Sequence, residues 1–320
     1  MRRRIASLSA FLVVLGFASS TRAQERPSTN SGPHHPYSLT VNVDLVLVPA
    51  TVTDDQNRFV SGLKAGNFQV WEDNVEQEVK FVSAEDAPIS VGIILDTSGS
   101  MKDKLGVALD AATTFLRTVM NKDDEFFVVD FADRPRVAVD FTTQTSRISD
   151  DVLTAHAKGS TALYDAVYLG LDKLRDATST RKILLLITDG EDNRSRYTFS
   201  NIREYVQERD VQVYAIGIVD PSNSPFGLEG EGRARIEKLT EFTGGQSFFS
   251  SSLHDLQDIC FKLGVAIKNQ YVIAYRSTNS TPDGKLRKLR VKAHARRTGG
   301  LHVRARSGYH ALSVMPSSEN

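Results

Sequence analysis

The stretch VGIILDTSGS, residues 91 to 100, joins an unbroken apolar run to a loop of hydroxyl side chains. An apolar run with no polar face is the pattern of a strand covered by helices on both sides. Asp96 closes that strand. Beyond the loop, Leu105, Ala108, Leu109, Ala112, Phe115, Leu116 and Val119 recur at helical spacing.

The same grammar continues downstream. EFFVVDFA (125–132) and RVAVDFT (136–142) read as strands joined by the tight turn Asp133-Arg134-Pro135, which predicts one antiparallel edge. A helix from about Thr161 to Asp176, a strand KILLLITD (182–189), a helix near Phe199 to Arg209 and a strand VQVYAIGI (211–218) follow. A helix near Ala234 to Thr243, the short strand QSFFS after Gly244-Gly245, and a helix from Leu253 to about Asn269 complete the unit. Strands alternating with helices predict an α/β fold with a doubly wound, mostly parallel, Rossmann-like sheet over residues 88–268.

Outside that unit the period changes to two. Leu39, Val41, Val43, Leu45 and Leu47 alternate with polar residues, and DDQNR (54–58) reads as a turn. NFQVWED and EVKFVS give two short strands around Glu72-Asp73-Asn74. After Gln270 the alternation returns at Tyr271, Ile273, Tyr275, then Leu289, Val291, Ala293, then Leu301, Val303, Ala305. The α/β unit begins with an inner strand and ends with a helix, so both its ends lie at the pole where the strands start. The segments 38–87 and 269–312 are therefore expected to pair there into a smaller β-rich subdomain, leaving 313–320 as a tail.

Residues 1–23 carry Arg2, Arg3 and Arg4 ahead of an apolar run from Ile5 to Phe17, and end in Thr21-Arg22-Ala23. That is the pattern of a secretory signal peptide cut after Ala23. The run is shorter than the roughly 20 residues of a bilayer span, so no stable membrane anchor is expected after cleavage. Residues 24–37 read as a flexible linker, with His34 and His35 solvated. The expected location is periplasmic or extracellular. Removing four Arg turns a balance of 39 basic against 39 acidic residues into 35 against 39, a mildly acidic mature chain. The basic residues Arg287, Lys288, Arg290, Lys292, Arg296, Arg297, Arg304 and Arg306 read as solvated outer strand faces, and no nucleic-acid partner is expected. The single cysteine, Cys260, lies in an apolar helical pattern and reads as a buried inert thiol.

Open α/β sheets bind ligands beyond the carboxyl ends of their strands, which selects the loops after Asp96, Thr142, Asp189 and Ile218. The first offers a carboxylate and two hydroxyls at alternate positions, Asp96, Ser98 and Ser100, with Gly99 letting the chain turn between them. A later loop, Gly159-Ser160-Thr161, offers another hydroxyl, and LLLITD ends in Asp189 followed by Gly190.

This DxSxS loop, with the later Thr and the TDG turn, resembles the metal-ion-dependent adhesion site of von Willebrand factor A and integrin inserted domains over residues 88–268. NFQVWEDN, the Gly-Gly pair, NQYVIAYRS and VRARSGYH extend the likeness, over about residues 38–310, to the von Willebrand-related family abundant in acidobacteria; here Glu72-Asp73-Asn74 stands where Glu-Asp-Gly is expected. The resemblance implies a non-enzymatic, exported interaction module whose metal ligands are Asp96, Ser98, Ser100, Thr161 and Asp189. The hydroxyls would ligate directly, and one or both aspartates directly or through water. A hard cation such as Mg²⁺, or Mn²⁺ or Ca²⁺, takes such oxygen ligands and keeps positions for water or substrate. Two carboxylates balance its charge, and neutral hydroxyls leave it able to attract an Asp or Glu carboxylate of a protein partner.

Three other readings compete. Ser98 and Ser100 would merely cap a helix while Asp96 binds backbone amides. A strand-end Asp would be the nucleophile of a Mg²⁺-dependent phosphohydrolase, although Ser98 stands where the haloacid dehalogenase-like enzymes carry a second Asp. Or the chain is a scaffold with a vestigial metal site. No phosphate-cradling GxxxxGK loop is present.

Overall fold

The computed structural model describes residues 45–84, 87–148, 157–218, 228–250, 252–295 and 299–311. The segments expected to be signal peptide (1–23), linker (24–37) and the start of the first strand (38–44), together with residues 219–227, Arg296, Arg297 and the expected tail, lie outside them.

The strands are β1 (Leu45–Asp54), β2 (Phe68–Glu72), β3 (Val75–Gln77), β4 (Val79–Ser83), β5 (Ile89–Asp96), β6 (Glu125–Phe131), β7 (Pro135–Thr142), β8 (Arg181–Thr188), β9 (Val211–Ile218), β10 (Ser247–Ser250), β11 (Tyr271–Arg276), β12 (Leu286–Ala293), β13 (Leu301–Ala305) and β14 (Gly308–His310). The α-helices are α1 (Leu105–Val119), α2 (Leu163–Lys173), α3 (Phe199–Gln207), α4 (Leu228–Thr243) and α5 (Leu253–Lys268).

The central sheet is mixed, in the order β10-β9-β8-β5-β6-β7. Five strands run parallel, and β7 closes the edge antiparallel to β6. Every residue of β5 is buried, and alternate side chains feed two cores. Val91, Ile93 and Leu95 join Phe115 and Leu116 of α1 and Leu263 and Ile267 of α5. Ile94 joins Val167 and Leu171 of α2, Ile202 of α3 and Ile236 of α4 on the other face. Gly92 makes this possible, since a Cβ there would lie 2.5 Å from the Phe127 ring.

The flanking strands pair with each other. β1 lies antiparallel between β11 and β13, and β12 pairs β2, giving four-stranded sheets β13-β1-β11-β4 and β14-β12-β2-β3. Val48, Ala50, Val52, Val70, Ile273, Tyr275 and Leu289 form the core they share. Among the described residues these strands and the α/β layers pack as one compact unit. The reason is visible in the bonds. Arg306 reaches Asp210, just before β9, at 2.9 Å; Ser307 donates to the Phe242 carbonyl at the end of α4; and Arg304 bonds Gln246, just before β10. All three lie at the end of the sheet opposite Asp96.

The Glu72-Asp73-Asn74 turn joins β2 to the three-residue β3 and not directly to β4. Asp73 and Asn74 take φ of 47° and 68°, a left-handed pair that Asn and Asp tolerate, so Asn in place of Gly is accommodated. No described helix is long and apolar enough to cross a membrane.

Candidate functional site

Asp96 is fully buried at the end of β5. Its carboxylate accepts the Ser98 amide at 2.9 Å and the Thr188 hydroxyl, from the end of β8, at 2.6 Å. The same Thr188 oxygen accepts the Gly190 amide, so one threonine ties the Asp96 carboxylate to the Asp189-Gly190 turn. Ser98 is also fully buried, and its hydroxyl lies 3.1 Å from that of exposed Ser100. The Ser98 side chain caps no helix, although it precedes the single turn Gly99–Met101, and α1 begins later, after Lys104. Capping therefore does not account for these serines.

Gly99, whose φ is not positive, also allows a close approach: its amide donates to the Gly159 carbonyl at 3.0 Å, and a Cβ would sit 3.1 Å from that oxygen. Lys158 likewise donates to the Thr97 carbonyl, so the loop carrying Thr161 runs against the DTSGS loop. Asp133, in the β6–β7 turn, accepts the Ser160 amide at 2.9 Å and braces that loop from outside.

Thr161 is 2% exposed. Its amide donates to the Asn193 side chain at 2.9 Å, and its carbonyl accepts the amides of Asn193 and Arg194. Its hydroxyl makes no hydrogen bond among the described residues. Asn193 thus clasps the Thr161 loop to the segment that follows Asp189. Gly190 turns that segment away with φ of 92°.

Asp189 lies one residue past β8, its side chain 6% exposed. Oδ2 meets the Lys104 ammonium at 3.3 Å, while the buried Oδ1 has no hydrogen-bond partner. Burial pushes the Asp96 carboxyl up to about 6, with the Asp189 charge adding to the rise against the pull of Ser98 and Thr188. Two carboxylates, one with a buried orphaned oxygen, and hydroxyls with few donors to satisfy form an oxygen-rich set suited to a hard divalent cation. No cluster of three or more His, Cys, Asp or Glu side chains fit to hold a metal forms among the described residues, so a cation here would draw on the hydroxyls.

Sequence reading missed Lys104, Thr188, Asn193 and Asp133. Thr188 was visible as the residue before Asp189 in ITDG; the others act across 27 to 85 positions and left no local pattern.

Glu191 makes no bond among the described residues. Asp192 accepts the Ser195 hydroxyl at 2.5 Å and the Tyr164 amide at 3.4 Å, which ties it to the start of α2. The basic C-terminal residues divide among several tasks. Arg287 is buried on Asp283, Arg306 bonds Asp210 and the Leu47 carbonyl, and Arg290 and Lys292 lie over Trp71. Cys260 is buried, its thiol pushed up to about 12 by burial.

Residues 91–191 match the family model of the von Willebrand factor type A domain. No curated protein matches the chain. Among solved structures, the conserved hypothetical protein BatB from Bacteroides thetaiotaomicron is 17% identical, with 56% of this chain and 99% of that chain covered at a TM-score of 0.45. A von Willebrand factor type A protein from Catenulispora acidiphila is 14% identical, with 86% and 74% covered and a TM-score of 0.45. The pilus adhesin SpaC from Lactobacillus rhamnosus GG, in its open conformation, is 12% identical, with 77% and 48% covered and a TM-score of 0.47.

Proposed function

From a chain that carries a von Willebrand factor type A domain in its α/β unit, we propose an exported, non-enzymatic module that binds a protein partner through a divalent metal. Asp96, Ser98, Ser100, Thr161 and Asp189 would hold the ion. Bound there, Mg²⁺ or Mn²⁺ would offer an open coordination position to an Asp or Glu carboxylate of the partner.

The observation that carries this reading is the Asp189 Oδ1 atom, buried without a donor beside a second buried carboxylate. A buried carboxylate oxygen without a partner is costly, and a cation removes that cost. The chain's own residues prepare the place. Thr188 orients Asp96, Asn193 fixes the loop of Thr161, and the Gly99–Gly159 contact holds the hydroxyl loops together. Among the described residues the flanking β strands cover the opposite end of the sheet, and the Asp96 end is the one offered to the partner.

The test is retention of a partner from envelope extract on the immobilised protein, in Mg²⁺ and in EDTA. Retention that needs Mg²⁺ and disappears in Thr161→Ala supports the module. Retention indifferent to EDTA and to Thr161→Ala rejects it. Turnover of a general phosphatase substrate that vanishes in Asp96→Asn would replace it with the phosphohydrolase.

A further inference from the structure

Lys104 is the one cation that touches the two-carboxylate centre among the described residues. It stands immediately ahead of α1, where the positive end of the helix dipole disfavours an ammonium. No side-chain cap offsets that placement. Its Nζ nonetheless turns inward to Asp189, 3.3 Å from Oδ2, with the side chain only 17% exposed. A charge-assisted hydrogen bond is usually about 2.7–2.9 Å, so this contact is a loose one. The second Asp189 oxygen is left without a partner.

We propose that Lys104 is a tethered counter-ion occupying the charge position of the metal, and that loading the site turns its ammonium out to the rim, where it becomes a second contact for an acidic partner. The inference rests on the metal reading above and deepens it. The physical reasons are three. A monovalent ammonium only part-neutralises the pair Asp96 and Asp189. Its approach is to one oxygen alone, so it is displaceable. And an ammonium cannot stay in contact with an oxygen that a divalent cation also ligates, because like charges at that range repel strongly in a buried site. Once outside, the flexible four-carbon stem keeps the charge within reach of the same pole. Asp189 is thereby spared from standing as an uncompensated buried carboxylate while the metal is absent.

The comparison uses the whole mature chain and four proteins: wild type, Lys104→Met, Lys104→Gln and Lys102→Met. Lys102 is an exposed neighbour with no contact to Asp189, so its removal measures the general effect of one charge. Mg²⁺ and Mn²⁺ affinity is read by calorimetry, and reactivity of the Lys104 amine toward an acylating reagent by peptide mass spectrometry with and without metal. The expected result is metal binding tightened about tenfold in both Lys104 variants, a clearly smaller change in Lys102→Met, and acylation of wild-type Lys104 that rises with Mg²⁺. Affinity unchanged or weakened in both Lys104 variants, an equal gain in Lys102→Met, or acylation indifferent to metal overturns the counter-ion role while leaving the metal site in place. Binding of neither metal by any of the four proteins overturns both.

Discussion

Two buried carboxylates in this molecule have opposite surroundings. Glu72, 2% exposed between the two four-stranded sheets, is saturated: the hydroxyls of Tyr275 and Ser277 each donate at 2.6 Å and that of Tyr309 at 2.9 Å. Burial, and then the hydrogen bond each donates to Glu72, hold both tyrosines above their ordinary range, which keeps them protonated donors. Asp189, at the far end of the α/β sheet, has one loose contact and one oxygen with none. A saturated carboxylate ties strands from three segments of the chain together. An unsaturated one spends stability to remain available, as functional sites do.

This contrast predicts unequal costs. Glu72→Ala strips the buried Tyr275 hydroxyl and the half-buried Ser277 and Tyr309 hydroxyls of their common acceptor and should lower the unfolding free energy by about 3 kcal/mol in urea titration, with no change in any metal response. A loss below about 1 kcal/mol would show that the hydroxyls rebond and that Glu72 is not the tie assigned to it.

Asn193→Ala removes the side-chain acceptor of the Thr161 amide and should cost about 1 kcal/mol. It should also weaken metal binding, because the loop of Thr161 loses its anchor to the segment after Asp189. Unchanged affinity for Mg²⁺ by calorimetry would confine Asn193 to stability alone.

Asp189→Ala should have the smallest effect on the metal-free protein, within about 1 kcal/mol of wild type in the same urea titration, since little is bonded to it. If it instead destabilises as much as Glu72→Ala, the contrast between the two carboxylates fails.

Much of the α/β unit was legible in the sequence because its signals are local and long. The strand 211–218 has the bounds read from its apolar run, and the turn Asp133-Arg134-Pro135 announced the antiparallel edge that β7 provides. The elements missed are short or disguised. β3 and β14 have three residues each, too few to display a period, and α4 begins at Leu228, ahead of the start read near Ala234, because Gly230 and Gly232 weaken the helical pattern there. At the candidate site the polar residues themselves were visible, since strand-end position and residue type are local properties. Their partners were not. Lys104 meets Asp189 across 85 positions and Asn193 meets Thr161 across 32, and only the packed sheet brings them together. The close approach of Gly99 to Gly159 is likewise not legible, because contact between two loops cannot be read from one of them.

The central claim is that the Asp96 end of the sheet is an incomplete site that a divalent cation completes. Its most direct test is the melting temperature of the protein in EDTA and in rising Mg²⁺ or Mn²⁺, for wild type and Asp96→Ala. A ligand that binds only the folded state adds about 2.7 kcal/mol at a hundred times its dissociation constant. The account predicts a concentration-dependent rise for wild type that is absent in Asp96→Ala. A melting temperature indifferent to metal in wild type, or an equal rise in both proteins, would contradict it.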